Sequence, residues 1–220
     1  MFDRWNRFVP LTGVVFVALL VASNVLLGST PESSDSATKV IAFYQAHRTK
    51  IETSSYLTGL SLFFGLFFYA CLRDYLHRAR AGERLAATAF GGAILFAVGG
   101  GLAAGSQFAL ADVPSKLSPA AAQALNLLEN DMSVFALTAG VAVLLMASGI
   151  AILRTRLLPV WLGWIAIVIA VVGLTPAGFF AFLAAGIWTL VASILIYMRT
   201  DASTLAPRGD TQSPVADPGP

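Results

Sequence analysis

An uncharged stretch of about 27 residues, 85–111, constrains the fold of this chain more than any other feature of its sequence. As an α-helix it would be roughly 40 Å long, which exceeds the ~30 Å hydrocarbon core of a bilayer. A helix can cross lipid because it satisfies its backbone hydrogen bonds within its own segment. The stretch therefore predicts a membrane-spanning helix.

Small residues recur at every fourth position of this stretch, which predicts a packing face. Four-residue spacing places them on neighbouring parts of the helix surface, with a slow drift around the axis. Such a surface lets another helix approach closely in lipid, so we expect this helix to lie in the middle of a bundle. The alternative is that Gly and Ala are simply common in membrane helices. The predicted packing residues are Ala89, Ala93, Ala97, Gly101 and Gly105.

Further apolar runs predict an all-α, polytopic membrane helix bundle with six transmembrane helices and two outer amphipathic helices. Only 12% of the residues are charged, about half of the ~25% that is usual in soluble domains. We place the spans at about 8–28, 56–72, 85–111, 132–153, 158–175 and 178–198. Residues 1–199 form a single membrane domain in this interpretation. Residues 200–220, rich in Pro, Asp, Ser and Thr, are predicted to be a disordered cytoplasmic tail.

The distribution of Lys and Arg predicts the orientation of these spans. Because the six spans cross the membrane in alternating directions, both termini lie on the same side. Ten of the 14 Lys and Arg residues fall in the segments on that side. Because cytoplasmic loops are enriched in Lys and Arg, both termini are expected in the cytoplasm. Trp161 and Trp164 follow Arg154 and Arg156, as an interfacial aromatic belt would.

Two connections on the opposite side predict the outer amphipathic helices. The first helix covers 37–55, with Ser36 as its N-cap and Val40, Ile41, Phe43 and Tyr44 on its apolar face. The second begins at Ser118-Pro119, an N-cap followed by a proline in the first helical position, and continues into the fourth span.

A polar cluster near the outer end of the fourth span predicts a ligand pocket under these two helices. Its centre is the hypothesis that Asp131 and Gln107 lie within hydrogen-bond reach, directly or through water. The alternative is a solvated helix face with interhelical hydrogen bonds. The candidate pocket residues are Asp131, Gln107, Asn130, Asn126, Glu129, Tyr44 and Tyr56.

Four arginines between the second and third spans form a candidate site for anionic lipid head groups. They are Arg73, Arg78, Arg80 and Arg84. Each contributes about 1 kcal/mol of attraction near an anionic membrane surface. The alternative is that they only set the topology.

The sequence contains no recognisable catalytic, phosphate-binding or metal-binding motif. The only two histidines, His47 and His77, are expected on opposite sides of the membrane, and the single cysteine, Cys71, has no companion. We therefore expect no catalytic residue, no metal and no cofactor. Apart from the Cys71 thiol, no ionisable group is predicted near the midplane, which disfavours ion-coupled transport.

Four segments resemble an uncharacterised, domain-of-unknown-function type family of small bacterial polytopic integral membrane proteins. They are PLTGVVFVALLVAS, TPESSDSATKVIAFYQAHR, SPAAAQALNLLEND and LLPVWLGWIAIV. The resemblance covers nearly the whole chain outside the tail. It implies a six-helix fold in the plasma membrane of a bacterium, and it supplies no catalytic residue.

The function that we expect from the sequence is a non-enzymatic binding or accessory membrane module. Its outward-facing polar pocket would hold a lipid, a small molecule or a partner protein. The alternative is a small-molecule transporter or permease, and a membrane-embedded enzyme is the least favoured class. Membrane lipids are the expected partners, a homo-oligomer or a membrane partner protein stays open, and the net charge of +2 gives no basis for nucleic acid.

Overall fold

The computed structural model describes residues 7–79, 82–175 and 178–205, and every regular element in these ranges is helical. The helices are α1 Thr12–Leu27, α2 Ala37–Ala46, α3 Arg48–His77, α4 Glu83–Asp112, α5 Pro119–Leu127, α6 Ser133–Thr155, α7 Val160–Gly173 and α8 Gly178–Leu205. Short 3₁₀ turns at Val9–Leu11 and Pro114–Lys116 precede α1 and α5, and a π-helical turn, Leu128–Met132, joins α5 to α6. The all-α prediction is confirmed.

Within the described residues, five helical segments are long and apolar enough to cross a membrane. They are Val9–Leu27, Arg48–His77, Glu83–Asp112, Pro119–Thr155 and Phe180–Arg199. The fifth predicted span, 158–175, is instead the apolar helix α7 of 14 residues, roughly 21 Å long. Pro159 marks its start, and Pro176 follows soon after its end in the sequence. The residue before a proline avoids the helical conformation, so both ends of α7 are limited locally.

The two predicted helix starts at Ser36 and Ser118 are confirmed. The Ser36 side chain accepts a hydrogen bond from the Lys39 backbone N–H at 3.4 Å. The Ser118 side chain accepts one from Ala121 N–H at 3.2 Å. Each satisfies a backbone donor that would otherwise lack a partner in the first turn.

The first predicted outer helix, 37–55, is wrong in its length. The helix ends at Ala46, because the backbone of His47, with φ −117° and ψ 20°, lies outside the helical region. Residues after it belong to α3, which begins at Arg48, so the second apolar helix is longer than the predicted span 56–72. At the other terminus α8 continues to Leu205, beyond the predicted end at 198. The tail prediction for 206–220 lies outside the described residues.

Helices α1, α3, α4, α6 and α8, together with the shorter α7, pack in chain order, each antiparallel to the one before it. The antiparallel pairing of α1 with α3 follows from Gly13 meeting Phe68 while Phe16 meets Gly65. That of α6 with α7 follows from Gly149 meeting Ile167 while Leu153 meets Gly163. The ring closes because α8 returns to α1, where the Ser193 hydroxyl donates to the Pro10 carbonyl. Buried aromatic side chains fill its interior, among them Phe68 and Trp188.

The predicted small-residue face of α4 is right for its first half and wrong for its second. Ala89 and Ala93 are buried and Ala97 is half-buried, whereas Gly101 and Gly105 are exposed, with open space where a Cβ would project. Four residues advance a helix by one turn and about 40°, so a stripe at four-residue spacing turns away from its neighbour within a few turns. The helix also lies in the ring between α3 and α6, not in the middle of the bundle.

Closest packing of α4 occurs instead at Gly92, against Gly140 of α6. A Cβ on Gly92 would lie 2.5 Å from the backbone nitrogen of Leu144 and 2.8 Å from the Gly140 carbonyl oxygen. A Cβ on Gly140 would lie 2.3 Å from the backbone nitrogen of Phe96. The two backbones meet here because neither residue has a side chain.

The antiparallel order gives the bundle two different ends. One end, here named the cap, consists of α2, α5 and the segments 28–36 and 113–118. A small separate core lies beneath it, made of Val40, Tyr44, Ile51, Leu110, Ala111 and Ala122. The other end, here named the arginine end, holds Arg73, Arg78, Arg84, Arg154, Arg156 and Arg199 at helix termini.

Candidate functional site

The predicted polar cluster at the cap forms around Glu129 and not around Asp131. The Gln107 side-chain amide donates to Glu129 Oε1 at 2.8 Å, and the Asn130 amide donates to Glu129 Oε2 at 2.8 Å. Asp131 is exposed and the Gln107 amide donates to Glu129 instead, so the direct Asp131–Gln107 hydrogen bond of the hypothesis is not formed. The π-helical turn over 128–132 inserts an extra residue, which rotates the positions expected from α-helical spacing.

Three amide side chains on one face of α5 and the π-helical turn bind the segment that follows α1. Gln123 donates to the Ser33 carbonyl at 3.1 Å, Asn126 to that of Glu32 at 2.9 Å, and Asn130 to that of Pro31 at 3.2 Å. Positions spaced by three and four residues share a helix face. We name Gln123, Asn126 and Asn130 the amide clasp. It supplies side-chain donors to three consecutive backbone carbonyls of the irregular segment 31–33, of which only that of Glu32 is shown to accept a backbone N–H as well, from Asp35.

The clasp and the Glu129 contacts use most of the predicted pocket residues within the protein. Asn126 is fully buried and Gln107 is buried, and their amides donate to Glu32 and Glu129 as described. This geometry matches the alternative of interhelical hydrogen bonds better than an open pocket.

The two predicted pocket tyrosines lie in different places. Tyr44 is fully buried, and its hydroxyl has no hydrogen-bond partner among the described residues. Burial raises the pKa of Tyr44 above its ordinary value, and the nearby Glu129 charge raises that pKa further. Tyr56 is 69% exposed and packs its ring edge against Phe108, with the ring centres 5.3 Å apart. It is not part of the cluster because the buried face of α3 runs through Ile51, Ser54 and Ser55.

The predicted arginine cluster does not form a single site. The Arg73 guanidinium lies over the Phe90 ring of α4 at 5.7 Å. The Arg78 guanidinium lies over the Tyr75 ring at 5.1 Å and faces a different groove. Arg84 is exposed, and Arg80 lies outside the described residues.

This groove, here named the lateral cleft, opens between the 3₁₀ turn that precedes α1, the C-terminal part of α3, and α8. Its volume is about 330 Å³. Its lining residues are Val9, Pro10, Phe67, Ala70, Cys71, Asp74, Tyr75, Arg78 and Ile196. Five of these come from α3 and a sixth, Arg78, is its C-cap; their intervals of one, three and four residues place them on one side of that helix.

Polarity changes along the α3 wall of the lateral cleft. Phe67, Ala70 and Cys71 line one half, whereas Asp74 and Arg78 lie at the other, nearer the arginine end. From Phe67 to Arg78 the wall is roughly 16 Å long, at about 1.5 Å per residue. The cleft is therefore apolar towards the middle of the bundle and charged at its rim.

The charged rim carries both signs. Asp74 and Arg78 are both exposed, and no ion pair involving Asp74 or Arg78 occurs in the part of the chain that the structure describes. The Tyr75 hydroxyl is used elsewhere, since it donates to the Leu157 carbonyl at 3.1 Å.

Sequence reasoning missed the lateral cleft. Its walls come from the two ends of the chain and from the middle, and residues 73–84 were treated as a connecting loop. The available signal was the run of Phe67, Cys71, Asp74 and Arg78 at helical spacing, which required α3 to extend past Leu72.

Within the described ranges, no group of three His, Cys, Asp or Glu side chains is arranged to hold a metal ion. His47 lies at the cap, whereas His77 lies at the arginine end with its Nε2 3.8 Å from Glu83.

Comparisons of this chain with family models, with curated proteins and with solved structures give no match.

Proposed function

We propose that this protein is a non-enzymatic membrane module that binds a lipid-like amphiphile in the lateral cleft. The observation that carries the proposal is the cleft itself, because its walls change from apolar to charged along one helix face. The proposal keeps the class of function expected from the sequence and moves the site from the cap to the opposite end.

The size of the cleft supports a ligand of limited bulk. Small-molecule sites usually enclose about 300–1,000 Å³, and the cleft, at about 330 Å³, lies at the lower end of that range. It has room for a head group and the upper part of one acyl chain.

The proposed orientation supports a lipid as the source of that ligand. Positive residues favour the cytoplasmic side of a plasma membrane, so the arginine end and both termini would face the cytoplasm of a bacterial cell. The charged rim of the cleft would then lie at the head-group level of the inner leaflet. Its apolar half would face the acyl chains.

The packed interior gives the transporter alternative no support. The bundle axis is filled by large buried side chains such as Phe68 and Trp188. Beside Phe16, Tyr69 and Phe96, the remaining space has no room for a water molecule.

Native mass spectrometry of protein extracted gently from its own membrane tests the proposal. We expect a discrete bound mass on the wild-type chain. Ala70→Trp should remove it, because an indole at the cleft wall fills the apolar half. The matched control is Ala87→Trp on the exposed surface of α4 at the same end, which should keep the mass.

Two outcomes would contradict the proposal. One is a wild-type protein without any retained mass under these conditions. The other is equal loss of the mass in both tryptophan variants, which would assign it to the general lipid shell.

A further inference from the structure

We propose that the ligand of the lateral cleft is a zwitterionic lipid whose head group joins a primary ammonium to a phosphodiester, with Asp74 binding the ammonium and Arg78 the phosphate. This inference rests on the proposed function and specifies the head group.

Spacing on α3 is the first argument. Asp74 and Arg78 are four residues apart, so they lie one above the other on the same helix face, about 6 Å apart along the axis. Both line the lateral cleft. A head group in which two carbon atoms separate the ammonium from the phosphate can therefore meet both side chains at once.

Charge is the second argument. A carboxylate and a guanidinium at this spacing normally pair with each other. Here the Arg78 guanidinium lies over the Tyr75 ring instead, and within the described residues neither charge has an ion-pair partner. Both charges remain available to a ligand that carries the two opposite charges.

Asp74 also discriminates between head groups. A purely anionic head group would place its negative charge beside the Asp74 carboxylate, which costs binding free energy. A quaternary ammonium has no N–H to donate, and it is normally bound by open aromatic faces. The Tyr75 ring, next to Asp74 in the cleft wall, is covered by Arg78. A primary ammonium, with three donors, satisfies a carboxylate best.

The apolar half of the cleft argues for a lipid over a free phosphoester. Phe67 and Ala70 present hydrocarbon surface directly behind the charged rim. Covering that surface removes it from water or loosely packed lipid, and a soluble head group alone cannot do so.

The test places the full chain in nanodiscs that contain equal amounts of phosphatidylethanolamine, phosphatidylglycerol and phosphatidylcholine. After gentle release, native mass spectrometry counts the retained lipids. We expect phosphatidylethanolamine to be enriched about tenfold over the other two, the scale expected for one additional charge-assisted hydrogen bond.

Variants at the rim separate the two contacts. Asp74→Asn should abolish the preference for phosphatidylethanolamine over phosphatidylglycerol while some lipid is still retained. Arg78→Gln should reduce retention of all three lipids. The matched controls are Glu83→Gln and Arg84→Gln, two exposed charges at the same end that do not line the cleft, and both should behave as the wild type.

Each contrary outcome has a distinct meaning. Enrichment of phosphatidylglycerol or phosphatidylcholine in the wild type would overturn the head-group assignment and leave the lipid-binding function standing. An unchanged preference in Asp74→Asn would overturn the role of Asp74. Displacement of the lipid by millimolar free phosphoethanolamine would overturn the assignment to a lipid. Equal retention of the three lipids would overturn the head-group assignment alone, whereas retention of no lipid would overturn both this inference and the proposed function.

Discussion

At the scale of single residues, the cap depends on side chains that satisfy several partners at once. Glu129 accepts from two amides, and the Asn130 amide lies near the Pro31 carbonyl, the Asn126 oxygens and Glu129. Such networks are rigid when they are complete, and each buried member is costly to remove.

Replacing Asn126 by Ala should destabilise the protein by about 1–3 kcal/mol, because it removes a fully buried side chain that donates to the Glu32 carbonyl and accepts from the Asn130 amide. The free energy of unfolding in detergent, followed by circular dichroism in denaturant, measures this change. Gln123→Ala is the control from the same clasp. Its side chain is half-buried, so water can replace its hydrogen bond, and the free energy of unfolding should fall by less than in Asn126→Ala. Equal effects would contradict the role of burial.

Replacing Tyr44 by Phe should leave stability unchanged or raise it by up to about 1 kcal/mol, since the buried hydroxyl has no partner to lose. Burial raises the pKa of Tyr44 in the folded state. Folding therefore keeps the phenol neutral, and this contribution is complete below the ordinary pKa of about 10 and is lost as the pH rises above it.

The measurement is the melting temperature of wild type and Tyr44→Phe between pH 8 and pH 11. The difference between the two should grow in favour of the variant above about pH 10. A constant difference across this range would show that Tyr44 does not ionise on unfolding.

The types of residue at the cap were predictable from the sequence, but their pairing was not. Asn126, Asn130, Glu129 and Gln107 were correctly selected as a polar group near one helix end. Helical periodicity cannot anticipate a π-helical turn, so it could not identify Glu129 as the partner of Gln107.

At the scale of elements, the packing of α4 on α6 is decided by two glycines and not by the longer small-residue stripe. Local signals at Ser36 and Ser118 were sufficient to predict helix starts, because an N-cap acts within its own turn. Which face of α4 is covered depends on the neighbour's position, and the four-residue stripe drifts away from it. The interruption of the helix at His47, between α2 and α3, likewise had no signal in the local sequence.

Replacing Gly92 by Ala should lower stability by about 1–3 kcal/mol or more, since the new methyl group meets backbone atoms of α6 that cannot move independently. Gly101→Ala is the control on the same helix, with open space around its Cβ. Its stability should be equal to the wild type or slightly higher, because Ala favours helices over Gly. The melting temperatures of the two variants are compared in the same detergent. A lower melting temperature in Gly101→Ala alone would contradict this packing.

At the scale of the whole molecule, the cap and the arginine end should lie on opposite sides of the membrane. In a Cys71→Ala background, Gln45→Cys in the cap should react with a membrane-impermeant maleimide in intact cells. Arg84→Cys should react only after the membrane is opened. Both positions are exposed, so the side of the membrane on which each cysteine lies, and not its burial, decides whether the maleimide reacts with it. Labelling of Arg84→Cys in intact cells would reverse the orientation.

The membrane character of the fold could be predicted from single segments, since an uncharged run of sufficient length has few alternatives. The lateral cleft could not, because it needs Val9, Asp74 and Ile196 to meet. Contacts between chain ends follow only from the closure of the ring.

The shortness of α7 has a mechanical consequence for the surrounding bilayer. Its 14 residues reach roughly 21 Å, whereas the other long helices exceed ~30 Å or nearly do so. Trp161 and Trp164, 50% and 58% exposed, lie at its start and favour the interface. In the proposed membrane placement, lipids beside α7 would therefore compress or tilt, while those beside α4 would not. Embedded in this way, the protein would create a hydrophobic mismatch on one side only. Neighbouring membrane proteins would then associate with it preferentially beside α7, where the bilayer is thinnest.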